Sequence, residues 1–113
     1  MKAMLVEGTQ VALDPEGYLI DLAQWSPDIA QVLAEKCGLP LKAAHWELIQ
    51  LMRSYYEEFD HSPAMRPFIK YIRINLDESK AKSIYLMQLF PGDGSPVKRI
   101  AQIAGLPKPD NCL

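Results

Sequence analysis

The side chain with the widest chemical latitude in this sequence is a thiol one place from the end, in Gly105-Leu106-Pro107-Lys108-Pro109-Asp110-Asn111-Cys112-Leu113. When it ionises, such a thiol is a nucleophile capable of thiol–disulfide exchange, and mounted on an arm it can leave its own domain and enter another protein's pocket. That requires only reach and access. Pro107 and Pro109 stand at alternate positions and no apolar periodicity follows Leu106, so the stretch reads as an extended, polyproline-like arm. At roughly 3.1 Å per residue, the eight residues from Gly105 to Cys112 could carry the sulfur about 25 Å from the last helix. Its electrical surroundings are mixed. Asp110 and the terminal carboxylate of Leu113 disfavour a thiolate, while Lys108, and Lys98 or Arg99 if the arm folds back, favour one. Activation is therefore expected mainly inside a partner's pocket, which suits a carrier better than a self-sufficient enzyme.

The other reactive residue types are less promising. Cys37 falls beside the apolar stripe of a predicted helix and reads as a small, inert hydrophobe. Neither cysteine has a CxxC partner, and His45 and His61 are not at metal-ligand spacing with them, so no metal site and no cofactor are expected. His45 precedes Trp46 on a predicted helix with no nucleophile at a readable spacing, which favours a structural role. Lys98, Arg99 and Arg66 are surface charges by default and arm or partner contacts by hypothesis. Lys108 divides between a solvated charge and a group that docks the arm or steadies a persulfide anion.

The elements that must position the arm follow from punctuation and period. Ala3–Val6 and Thr9–Leu13 form a predicted β-hairpin across Glu7-Gly8; a second turn at Asp14-Pro15-Glu16-Gly17 returns the chain at Tyr18-Leu19-Ile20. Ser26-Pro27, Ser62-Pro63 and Ser95-Pro96 each offer a capping hydroxyl followed by proline at the first helical position. Helices are predicted over about 27–37, 42–59, 63–74, 77–89 and 96–104. The first places Ile29, Val32, Leu33, Lys36 and Cys37 near one stripe. The second is apolar on more than one face and starts poorly at Lys42, so its first turn is expected to fray. Pro67 falls beyond the first turn of the third, predicting a kink or a shorter helix. The fourth turns Ala81, Ile84, Tyr85 and Leu89 inward, and the fifth Val97, Ile100, Ala101 and Ala104. Gly105 stops the last helix and Pro107 keeps it from resuming. The expected architecture is mostly α with a small β-hairpin (α+β): about five helices in an orthogonal bundle. Residues 1–104 make the domain, with the hairpin in 1–20, and 105–113 a flexible C-terminal arm.

Composition limits the function. With 113 residues, 49% of them hydrophobic and 23% charged, the chain can bury a core without a staple, and disorder is not expected outside the arm. A formal charge of −2 argues against direct strong binding of nucleic acid. The apolar run Ala3-Met4-Leu5-Val6 is too brief for a signal-peptide core or a membrane span, so a cytoplasmic protein without membrane attachment is expected. In that reducing setting a Cys37–Cys112 disulfide is not the default.

The run Ile103-Ala104-Gly105-Leu106-Pro107-Lys108-Pro109 with penultimate Cys112 resembles the C-terminal signature of the DsrC/TusE family of sulfur-trafficking proteins. The similarity continues through Glu16-Gly17-Tyr18-Leu19, Trp25-Ser26, His45-Trp46-Glu47, Ser62-Pro63-Ala64-Met65-Arg66 and Tyr85-Leu86-Met87-Gln88-Leu89-Phe90-Pro91. DsrC proper has a second arm cysteine eleven positions earlier, where this sequence has Ala101. That departure points to the TusE branch. The resemblance implies a persulfide carrier, Cys112, that takes sulfur from a TusBCD-like complex and delivers it to an MnmA-like thiouridylase for wobble-uridine 2-thiolation, the transfer RNA being held by that enzyme. Gly105, Leu106, Pro107 and Pro109, with Lys108, Lys98 and Arg99, would then serve the arm and its docking. Two alternatives stay open: a DsrC-like partner or regulator of sulfite reductase or sulfur oxidation, disfavoured by Ala101, and a helix-turn-helix DNA-binding regulator, disfavoured by the acidic balance.

Overall fold

A computed structural model describes residues 2–92 and 94–110; Cys112, with Asn111 and Leu113, lies outside the described residues. Strands β1 (Lys2–Val6) and β2 (Thr9–Leu13) pair antiparallel, with Met4 opposite Val11 and Val6 opposite Thr9. Glu7 and Gly8 take φ of 50° and 79°, the two left-handed residues of a tight hairpin turn whose twist matches the strands. Period-two alternation buries Met4, Val6, Val11 and Leu13 and leaves Leu5 outside. The following turn is closed by the Asp14 carboxylate, which accepts from the amides of Glu16 and Tyr18 at 2.9 Å each. Leu19 then bridges back to Leu13.

Helix α1 (Pro27–Lys36) starts as expected, the Ser26 hydroxyl accepting from the Ile29 amide at 3.3 Å. Its buried face is Ile29, Ala30, Leu33 and Ala34, while Lys36 is exposed and Cys37 half-buried, a small rotation from the predicted stripe. Helix α2 (Ala43–Phe59) is not left open at Lys42. His45 reaches back so that Nδ1 accepts the Lys42 amide at 3.1 Å, and Nε2 lies 2.8 Å from the Leu89 carbonyl. One tautomer, protonated at Nε2, satisfies both bonds. The expected fraying therefore meets a cap supplied three residues inside the helix.

Two further expectations are corrected. Helix α3 (Met65–Asn75) begins two residues later than predicted, because the Ser62 hydroxyl is committed elsewhere and Ala64 occupies the cap position. Pro67 is thereby the third helical residue, where an amide would have no intrahelical partner, so the predicted kink has no cause. The single helix expected over 77–89 is two pieces: a 3₁₀ turn at Glu78–Lys80 and helix α4 (Ser83–Leu89). Asp77 accepts from both the amide and the hydroxyl of Ser79, local bonds that compete with a continuous helix. The break turns the later residues, so Leu86 is fully buried and Ile84, expected inside, is 60% exposed.

Helix α5 (Pro96–Ile103) buries Val97, Ile100, Ala101 and Ala104 as predicted, and Ile103 as well. Ser95 precedes it without a capping bond from its side chain. This short helix is the centre of the fold, touching α1, α2, α3 and α4. Five helices around one core with an N-terminal hairpin give an α+β architecture. Among the described residues, no helix is long and apolar enough to cross a membrane.

Candidate functional site: the root of the cysteine arm

The arm leaves α5 through a complete helix stop. Gly105, at φ 71°, donates to the Gln102 carbonyl at 3.1 Å, and Leu106 donates to Ala101 at 2.9 Å. These are the paired bonds of a Schellman motif, with Leu106 buried beneath it as the accompanying apolar contact. The carbonyls at the end of α5 find partners on distant elements. Trp25 Nε1 donates to Ile103 at 2.9 Å and Arg53 Nη1 to Ala104 at 2.6 Å. The Arg53 guanidinium also lies 3.9 Å from the centroid of the Trp25 ring, and a cation suits the negative end of a helix. Burial pulls Arg53 below its ordinary value while Glu57 opposes the shift; a guanidinium keeps its proton regardless.

Beyond Gly105 the chain stays on the body. The Ser62 hydroxyl donates to the Pro107 carbonyl at 2.6 Å, Lys108 Nζ pairs with Glu16 at 2.7 Å, and Pro109 is buried. The arm was expected to begin at Gly105; through Pro109 it is packed, because Leu106 needs burial and the body supplies partners for its polar groups. Three residues lead from Pro109 to Cys112 in the sequence, and three residues fully extended span about 11 Å.

Of the predicted docking residues, Gly105, Leu106, Pro107, Lys108 and Pro109 thus come together at this root. Lys98 and Arg99 lie beside it, lining an open cleft of about 160 Å³ with Glu16, Tyr18, Ser95 and Gln102. Glu16 is shared, since it also holds Lys108. The Tyr18 hydroxyl donates to the Lys98 carbonyl at 3.1 Å, and Arg99 donates to the Pro91 carbonyl. Arg66 is exposed on α3 and does not line that cleft. His45 has both ring nitrogens engaged by backbone, which makes it a structural residue.

Sequence reasoning missed Trp25, Arg53, Glu16 and Ser62 as parts of the root. Arg53 meets its partner 51 positions away and Glu16 meets Lys108 across 92, so nothing local marks them. Ser62 carried a signal that was read as a helix cap. Among the described residues there is no cluster of metal-ligating side chains. The arrangement is suited to holding residues 105–109 at one place on the surface.

A family model described as "DsrC like protein" matches residues 5–113. A protein named Sulfurtransferase TusE from Pectobacterium atrosepticum is 44% identical over 107 residues, covering 95% of this chain and 96% of that protein. A protein of the same name from Escherichia coli (strain K12) is 42% identical over 110 residues, covering 97% and 99%. The NMR structure of Allochromatium vinosum DsrC superposes with a TM-score of 0.87 at 42% identity, covering 98% of this chain and 97% of that one.

Proposed function

Starting from a chain that belongs to the DsrC-like family, we propose that it is a sulfur carrier in the thiolation of transfer RNA, with Cys112 as the atom-bearing residue. The relatives' name, sulfurtransferase, supports a sulfur-relay role. Loading occurs when the Cys112 thiolate attacks the outer sulfur of a donor persulfide; the donor's sulfur–sulfur bond breaks and its cysteine leaves as a thiolate. Delivery repeats the step, an acceptor thiolate taking the outer sulfur and Cys112 leaving. No net oxidation occurs and no cofactor is consumed. In this reading the donor is a TusBCD-like complex in the cytoplasm and the acceptor an MnmA-like thiouridylase that holds the transfer RNA.

The observation that carries the proposal is the rooted arm: a family signature whose glycine, leucine, prolines and lysine are all used to fix the base of the segment that leads to Cys112. Lys108, Lys98 and Arg99 place cationic side chains on the flank of that base. Likeness to DsrC favours a second reading, partnership with a sulfite reductase. Identity does not separate the two, since the E. coli TusE and the A. vinosum DsrC are each 42% identical. Ala101, where DsrC has a second arm cysteine, supports the carrier reading over that one. Ala101 is fully buried under the arm root and leaves Cys112 no partner eleven residues upstream.

The test is mass mapping after incubation with the sulfur-charged donor complex. One added sulfur atom is expected on the Cys112 peptide, none in Cys112→Ser, and undiminished loading in Cys37→Ser. Full relay activity in Cys112→Ser would refute the carrier.

A further inference from the structure

The outer face of the α2–α3 junction takes no part in holding the arm, yet its chemistry is lopsided. Helix α3 reads Met-Arg-Pro-Phe-Ile-Lys-Tyr-Ile-Arg-Ile-Asn, with no acidic residue. Arg66, Lys70 and Arg73 fall at i, i+4 and i+7, an exposed stripe about 10 Å long. No ion pair to them is found among the described residues. Beside the stripe Tyr55, Phe59, Pro67, Tyr71 and Ile74 line a shallow slot of about 210 Å³, with Lys70 at its rim. Phe59 is 47% and Ile74 70% exposed. The floor is preformed: Tyr55 stands edge-on to Tyr71 at 5.2 Å and packs against Phe59 at 4.5 Å. The Tyr71 hydroxyl donates to Glu58 at 3.1 Å, and burial with that carboxylate holds the phenol above its ordinary range.

We propose that this face docks the sulfur donor of the relay, through an apolar ridge flanked by carboxylates. The inference rests on the carrier reading and deepens it. Charge complementarity selects the occupant, because Lys70 at the rim and Arg66 and Arg73 along the same helix face set three exposed cations beside a mostly apolar slot. A nucleic acid fits less well, since the aromatic rings are engaged with one another and a phosphate backbone offers no apolar ridge to fill the slot. A second copy of this chain would set the same cationic stripes against each other in a two-fold contact. The surface also adjoins the arm: His61 stands edge-on to Tyr55 at 5.6 Å, and the next residue, Ser62, holds Pro107. A partner seated on the slot therefore lies next to the root of the sulfur-bearing tail.

The test is loading of Cys112 by the purified TusBCD-like complex, titrated over donor concentration. Lys70→Glu and Ile74→Asp alter exposed side chains and are expected to raise the half-saturating concentration about ten-fold or more, with loading at saturation unchanged. Met87→Asp, on the exposed part of α4, is the control and keeps the wild-type value. A photo-crosslinking residue at position 74 should mark an apolar, carboxylate-rich peptide of the donor complex. Wild-type titration curves for both variants, or crosslinks to RNA, to a second copy or to a peptide without carboxylates, overturn the proposal. Failure of the wild-type Cys112 to load would instead overturn the carrier reading.

Discussion

Gly105 is where the arm's direction is set, and replacing it with alanine has a cost that can be separated into parts. The residue sits at φ 71°, a left-handed backbone that costs an L-residue roughly 1–2 kcal/mol. A Cβ there would lie 2.7 Å from Trp25 Cγ and 2.8 Å from its Cβ, inside van der Waals contact, so the indole must move. Movement breaks the bond from Trp25 Nε1 to Ile103 and removes the ring under Arg53, together about 2 kcal/mol or more. The total for Gly105→Ala is about 3–4 kcal/mol. Gly38 supplies the control: its φ is 69°, yet nothing lies within 4 Å of its would-be Cβ, so Gly38→Ala incurs only the backbone cost. For a chain of this length, about 4 °C of Tm per kcal/mol predicts a loss near 12–16 °C for Gly105→Ala and about 4–8 °C for Gly38→Ala. Thermal unfolding by circular dichroism measures both. Emission in a Trp46→Phe background, where Trp25 is the remaining tryptophan, should shift for Gly105→Ala alone. Equal losses for the two variants, with unchanged emission, would refute the packing of Trp25 on the arm root.

Leu106→Ala should destabilise by about 2–4 kcal/mol and speed amide exchange at Gly105 and Leu106, because the side chain is buried and anchors the Schellman stop; urea unfolding and hydrogen exchange report the two effects. Asp77 gives a pH signature. Its carboxylate is held below the ordinary range by the Ser79 amide and then by the Ser79 hydroxyl, so the unfolded chain protonates first as pH falls. The stabilisation is complete above the unfolded value, about 3.9, and disappears as pH drops through the lower folded one. Between pH 5 and pH 2.5 the wild type should therefore lose more stability than Asp77→Asn, and an NMR titration should put the Asp77 midpoint below that of a free aspartate. Equal pH slopes would contradict it.

What could be read in the sequence was what is fixed locally. Glu7-Gly8 sets the hairpin, Ser26-Pro27 starts α1 with the expected hydroxyl bond, and Gly105 with Pro107 ends α5. The inward residues of α5 follow from period alone because no competing side-chain bond interrupts that helix. Failures arose where a polar side chain had two possible partners. Ser62 fits the pattern of a helix cap but gives its hydroxyl to Pro107, and Asp77 with Ser79 closes a small turn that separates Leu86 from the periodicity of Ala81. His45 reversed the expectation at Lys42, since an imidazole three residues into a helix is not a habitual capping group. The arm's docking was illegible for a different reason. Arg53, Trp25 and Glu16 act through contacts made only after the core brings together residues far apart in sequence.

The packed root changes what the arm can do. A tail free from Gly105 could probe about 25 Å, enough to enter a cleft with the body held at a distance. With Pro109 buried, the remaining three residues give about 11 Å. Two routes then lead to a recessed donor thiol: release of Ser62, Glu16 and the buried Leu106, or approach of the donor to the body. Release sacrifices the burial of Leu106, of order 2 kcal/mol, along with the Ser62 bond, whereas approach retains both and needs a surface beside the root. The aromatic and cationic face of α2 and α3, joined to the root through His61 and Ser62, is such a surface. On the carrier reading, a donor that docks there reaches the thiol without unfastening the tail, so transfer should tolerate strengthening of the root and require more donor when the face is charge-reversed.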